Sequence, residues 1–205
     1  MSDHRLQRFY NELDKDFLSL IEVINQKGFR VGVVGGAVRD FFLGISRKEL
    51  ADYDCELRPE ASDGSFEDRF EELVLSLDQK YEIERLPYNI IRVKKESFTV
   101  ELSLPRVETY LDSFSHSNFS AEFIADTDYS QGVLRRDLTI NAIMIEVFQK
   151  EVKLIDPLRG LEDLDHARLK SCSKTFKRDP VRFLRTLSFK SVSYTHLTLP
   201  TILLV

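Results

Sequence analysis

RVGVVGGAVRDFFLGISRKELADYDCEL, residues Arg30 to Leu57, reads as a strand, a tight turn, a short helix and a second strand. The apolar run Val31–Val34 is short enough for a buried strand. Gly35 and Gly36 break it, and Ala37–Leu43 continues as a short apolar segment closed by Gly44. Paired glycines between a strand and a helix start let backbone N–H groups approach an anion, which the helix dipole favours, and Arg39 adds a full charge one turn in. Gly35, Gly36 and Arg39 are therefore candidates for a phosphate seat. No Gly-Lys-Ser/Thr follows, so this is not a Walker A loop, and the spacing is not that of the dinucleotide-binding glycine fingerprint. In Asp52-Tyr53-Asp54-Cys55 the carboxylates are two residues apart, so on a strand they share one face while Tyr53 and Cys55 turn to the other. Such a pair suits Mg²⁺, a hard cation that prefers oxygen ligands. Alone, each element has a plainer reading, as a turn and as a solvated surface. Their succession points to a triphosphate.

The remaining bulk properties narrow the class. A chain of 205 residues holds one domain with a proper core and little else. A formal charge of −5 and a pI near 5.5 exclude a protein that coats nucleic acid through overall charge, so any RNA contact must be local. Cys55 and Cys172 stand in unrelated contexts and form neither a disulfide framework nor a zinc pattern with the scattered histidines, which fits a reducing cytoplasm. No signal peptide and no apolar run of membrane length is seen, and no obligate protein partner is evident.

Outward from the central stretch, Leu6, Phe9, Tyr10, Leu13, Phe17, Leu20, Ile21 and Ile24 predict one amphipathic helix from Arg5 to about Gln26, stopped by Gly28. Phe66, Phe70, Leu73, Val74 and Leu77 predict another, whose carboxylates form a solvated face. From Tyr81 to Leu104 the pattern is β, with Phe98, Val100, Leu102 and Leu104 alternating with Thr99, Glu101 and Ser103. Glu101 is mid-strand on the polar face. Residues 108–129 lack a period and read as a long loop. In LRRDLTINAI, Leu134–Ile143, Arg135, Arg136, Asp137 and Asn141 form a polar cluster, Asn141 one helical turn beyond Asp137. Arginine forks suit phosphate oxygens and Asp or Asn suits ribose hydroxyls, although a capped helix with an ion pair accounts for the same residues. Met144–Ile155 predicts a hairpin about Gln149-Lys150, followed by a bend at Asp156-Pro157-Leu158-Arg159-Gly160. Between His166 and Lys190 eight basic residues stand against Asp179 alone, either a solvated basic helix or a place for an RNA backbone. Asp179-Pro180-Val181-Arg182 is a helix start, Asp179 capping and Arg182 on the same face. SVSYTHLTLPTILLV, the last fifteen residues, has no charged group and does not continue that helix pattern. It reads as a foreign tail on a shortened frame.

GGAVRD followed by DYD, then RRDLTINA, DPLRGLEDL and DPVR, resembles the motif series of the class II tRNA nucleotidyltransferases and bacterial poly(A) polymerases, the family that includes the CCA-adding enzymes. The resemblance covers about residues 5–190. It implies an α/β (α+β) nucleotidyltransferase palm, a small mixed sheet flanked by helices, with the start of a helical neck: a head over 1–160, the neck with its templating motif over 161–190 and the tail over 191–205. It implies transfer of CMP or AMP from CTP or ATP to the 3′ end of tRNA by two-metal phosphoryl transfer, with a pair of Mg²⁺ ions held by Asp52 and Asp54. Glu101 would be an additional carboxylate near the metal, and Gly35, Gly36 and Arg39 would take the triphosphate. Arg136, Asp137 and Asn141 would contact the nucleotide, and Asp179 with Arg182 would select the base. The family's templating motif has Glu before that Asp, where this chain has Arg178. The DPLRGLEDL segment would be a mechanical hinge, and 108–129 the flexible loop that takes part in switching from CTP to ATP. Poly(A) polymerase, CC-adding or A-adding activity shares these motifs, and a nucleotide-binding head without turnover is a further alternative. A triphosphate-dependent transferase for small molecules also uses DxD, but RRDLTINA and DPVR speak against it.

Overall fold

Phe29, Val31 and Val33 alternate with Arg30 and Gly32, and in the computed structural model they form β1 (Phe29–Val34), an interior strand of a seven-stranded sheet. The structure is described over residues 3–45, 51–60, 66–110, 119–123, 129–174, 176, 181–182 and 184–186. The readings at Asp179 and over 191–205 lie outside these residues. The chain divides into two compact units, 1–105 with 144–155, and 106–143 with 156–205.

The first unit holds the sheet. With β2 (Ala51–Pro59), β3 (Glu82–Leu86), β4 (Ile90–Lys95), β5 (Phe98–Ser103), β8 (Met144–Phe148) and β9 (Glu151–Ile155), the order is β3-β4-β5-β2-β1-β8-β9. Every neighbouring pair is antiparallel except β2 with β5. Register puts Val31, Val33, Tyr53, Cys55, Leu57, Val93, Val100 and Leu102 on one face, all buried. Two helices cover that face. From α2 (Lys15–Gln26), Phe17 stacks on Tyr53 with ring centroids 4.1 Å apart and also meets Phe98. From α4 (Phe66–Asp78), Phe70 meets Phe29 edge-on. Each such ring or leucine, buried fully, contributes about 1.5–3 kcal/mol, so this face holds the unit together.

The single helix predicted over Arg5–Gln26 is two, α1 (Asp3–Glu12) and α2. Asp14 makes the break: its Oδ1 accepts from the N–H groups of Asp16 at 2.8 Å and Phe17 at 3.2 Å, an N-cap that starts a new helix. The hairpin predicted about Gln149-Lys150 is present, both residues at positive φ as a two-residue hairpin turn requires.

In the second unit the long loop predicted for 108–129 is replaced in part by a two-stranded ladder, β6 (Arg106–Tyr110) with β7 (Phe119–Phe123). RRDLTINA is likewise not a helix. A short α5 (Tyr129–Gly132) leads into two 3₁₀ turns, Val133–Arg135 and Thr139–Asn141. The bend at Asp156–Gly160 leads into α6 (Gly160–Asp165), where Asp156 accepts from the N–H groups of Gly160 at 2.6 Å and Leu161 at 3.0 Å.

Candidate active site

The face of the sheet opposite the helices is polar because of strand register. Asp52 and Asp54 of β2 are exposed there, while the residue between them, Tyr53, is buried on the other side. The turn after β1 reaches the same place. Gly35 has φ 78° and ψ −140°, a conformation nearly closed to other residues, and caps α3 (Gly36–Phe42). A Cβ on Gly35 would lie 3.0 Å from Asp54 Oδ2, so the absent side chain is what lets the backbone lie against that carboxylate. Arg39 is buried, and its guanidinium is held by Asp40 Oδ1, at 2.9 Å from Nε and 2.7 Å from Nη2.

Glu101 stands directly across from Asp54 in the parallel β2–β5 ladder, on the same face. Its Oε1 accepts from Arg92 Nη2 at 2.7 Å and Nε at 3.1 Å. Glu101 first and Glu84 second hold the Arg92 guanidinium above its ordinary value. Arg92 carries no sequence signature of function. It is legible only once the β4–β5 register sets it opposite Glu101, an opposite-charge cross-strand pair. Among the described residues no three His, Cys, Asp or Glu side chains gather as a metal cluster. Two exposed carboxylates on one rigid strand fit a hard cation in donor type, with Glu101 beside them already engaged by Arg92.

The second unit brings together Asp137, Asn141 and Arg182. Asp137 and Asn141 are buried. Asp137 Oδ1 accepts from its neighbour's N–H, Leu138, at 2.7 Å and from Asn141 Nδ2 at 3.1 Å, while Oδ2 faces Arg185 Nε at 3.2 Å. The four-residue spacing read in the sequence does bring Asp137 and Asn141 together, through a 3₁₀ turn instead of a helix. Val181 and Arg182 are helical, and Arg182 donates to the carbonyl oxygens of Arg135 at 2.7 Å and Arg136 at 3.4 Å. Its fork therefore ties this helix to the backbone of RRDLTINA.

Cys172 lies behind this cluster. Burial, and after it the negative charge of Asp137, push its thiol up to about 12. Cys55 is buried in the sheet, and neither cysteine is in a disulfide. Burial shields Cys55, and Cys172 is both buried and protonated, so at pH 8 neither cysteine of the native chain should react with a disulfide reagent on the minute scale, and both should react in denaturant. A colorimetric thiol titration checks this; rapid native reaction of either would contradict the packing. Linkage has the same sign. From 9.0 to about 12 the folded chain keeps a Cys172 proton that the unfolded chain gives up, so this thiol lowers stability as pH rises through that window.

The comparisons with known proteins agree with this architecture. Residues 31–170 match the model of the Poly A polymerase head domain family. A multifunctional CCA protein of Legionella pneumophila is 34% identical over 164 residues, 79% of this chain and 35% of its own length. A CCA-adding enzyme of Bacillus pumilus is 28% identical over 184 residues, 88% of this chain and 41% of its own length. The chain thus spans well under half the length of these curated relatives. Among solved structures, a CCA-adding enzyme in an apo form shares the fold with a TM-score of 0.64 at 23% identity, over 88% of this chain and 41% of that one. A tRNA nucleotidyltransferase complexed with a primer tRNA and an incoming ATP analogue aligns with a TM-score of 0.59 at 26% identity, over 83% of this chain and 44% of that one. Among the described residues no helix is long and apolar enough to cross a membrane. With a family match over residues 31–170 and a mostly antiparallel sheet flanked by helices, this chain belongs to the Poly A polymerase head domain family.

Proposed function

We propose that the chain is the nucleotide-binding head of an RNA nucleotidyltransferase that adds CMP or AMP from CTP or ATP to the 3′ end of tRNA, in the cytoplasm, with Mg²⁺. One observation carries the reading: the exposed Asp52–Asp54 pair on one face of β2, with the positive-φ Gly35 backbone against Asp54. Asp52 and Asp54 hold the cation. When bound, one Mg²⁺ would lower the pKa of the attacking 3′-hydroxyl and a second would neutralise charge on the departing pyrophosphate. The chain's own part is positional. Gly35 and Gly36 offer backbone N–H groups to the triphosphate, and Arg39, kept in place by Asp40, adds positive charge to that turn. Arg136, Asp137 and Asn141 orient the nucleotide, and Asp179 with Arg182 sets the choice of base. Glu101, across from Asp54 and held by Arg92, is the additional carboxylate near the cation. The head extends over 1–160 and the neck begins at 161.

Incubating the chain with tRNA lacking its 3′-terminal nucleotides and each of the four nucleoside triphosphates separately tests this reading. Extension with CTP, ATP or both, dependent on Mg²⁺, is the expected result, and which of them is used separates CCA, CC, A and poly(A) addition. Because the chain covers 35% and 41% of the two relatives' lengths, binding without extension would assign it the nucleotide-binding step alone. Absence of both binding and extension would sink the proposal.

A further inference from the structure

Resting on the reading of Asp137 and Asn141 as nucleotide contacts, we infer that Asp163 is a positioning residue whose carboxylate clamps the Thr139–Asn141 turn and so fixes the Asp137–Asn141 pair. Asp163 is 4% exposed and Thr139 2% exposed, and Thr139 Oγ1 donates to Asp163 Oδ2 at 2.7 Å. The other oxygen, Oδ1, faces Arg168 Nε at 3.0 Å. A buried carboxylate is costly unless compensated, and an apolar residue would fill the same volume without that cost, so plain packing does not account for it. The approach of α6 to the turn is close by construction. A Cβ on Gly160 would run into the Thr139 carbonyl oxygen, so only glycine lets the helix start lie against that backbone. The turn is tied as well by the Thr139 N–H, which donates to the Lys170 carbonyl at 2.9 Å. Thr139 is thus held through both its side chain and its backbone. Asn141 closes it with its N–H on the Leu138 carbonyl at 2.9 Å and its side chain on Asp137. The segment whose sequence reads as a hinge therefore carries a fixed clamp within its own unit.

Two readouts on the whole chain test this. Asp163→Ala and Thr139→Val should each speed amide hydrogen exchange at Thr139, Asn141 and Ala142 and weaken Mg²⁺-dependent CTP or ATP binding, measured by titration calorimetry, by about tenfold, the scale of one lost buried hydrogen bond. Thr139→Ser should restore both, and the double variant should be no weaker than Asp163→Ala alone, because the Thr139 bond is already lost there. Should Asp163→Ala fail to fold, Thr139→Val keeps the side-chain shape and carries the same readouts. Unchanged exchange would overturn the clamp. Faster exchange with unchanged affinity would overturn the positioning role and leave the functional reading standing. A wild-type chain that binds no nucleotide would instead defeat the functional reading, and the positioning role with it.

Discussion

Asp54→Asn and Asp52→Asn should each lower Mg²⁺-dependent nucleotide incorporation by about 10³-fold or more, equivalent to about 4 kcal/mol of transition-state stabilisation. Each substitution keeps the side-chain shape and removes the anionic oxygen that a hard cation requires. The fold should not suffer. Both carboxylates are exposed on the polar face, and the residues that hold β2 in place, Tyr53, Cys55 and Leu57, point the other way. Removing one of two like charges also relieves repulsion when no cation is bound. Melting temperature should stay within about 2 °C of the parent, as for surface substitutions generally. Glu101→Gln is the internal comparison: because Arg92 already holds Glu101, its loss should cost incorporation less than that of Asp54. Primer extension on the three variants gives the answer, and an Asp52/Asp54 double variant that still extends RNA would remove these residues from catalysis.

Gly35→Ala should reduce both stability and incorporation, and the two effects have separable causes. The backbone at φ 78° and ψ −140° costs an L-residue about 1–3 kcal/mol. The new methyl also lies 3.0 Å from Asp54 Oδ2, closer than ordinary contact, so the carboxylate must move. Gly44→Ala is the control, because Gly44 has φ 74° but, among the described residues, nothing within 4 Å of its Cβ position. It should lose about 1–2 kcal/mol of stability and keep incorporation at temperatures where it is folded. Chemical denaturation with extension assays on both variants separates strain from displacement of Asp54. Equal activity in the two would show that Gly35 is needed only for its turn.

Much of this architecture was legible because it depends on period. Strict alternation around Asp52-Tyr53-Asp54-Cys55 and along Phe98–Ser103 assigns faces without knowledge of partners, and the structure has these faces. Apolar spacing found α4 for the same reason. The misreadings arise where a local interaction overrides period. One oxygen of Asp14 divides a continuous apolar stripe into two helices, and the stripe itself survives the break. β6 and β7 are hidden in a stretch rich in Ser, Asp and Asn, where pairing to each other supplies the order that composition lacks. At RRDLTINA the spacing of Asp137 and Asn141 was right and the helix wrong, since a 3₁₀ turn held by Asp163 and Lys170 also brings positions four apart together. What sequence cannot reveal is which charges are already engaged. Glu101 is held by Arg92 and Arg182 by two carbonyl oxygens, and each pairing depends on register or tertiary approach.

The central claim is that the Asp52–Asp54 face of this chain binds a nucleoside triphosphate through a divalent cation. Calorimetric titration of the chain with CTP and with ATP, in Mg²⁺ and again in excess EDTA, with Asp54→Asn in parallel, tests it most directly. Saturable binding in Mg²⁺ that is lost both in EDTA and in the variant is the predicted result, whereas binding of equal strength under all three conditions would contradict it.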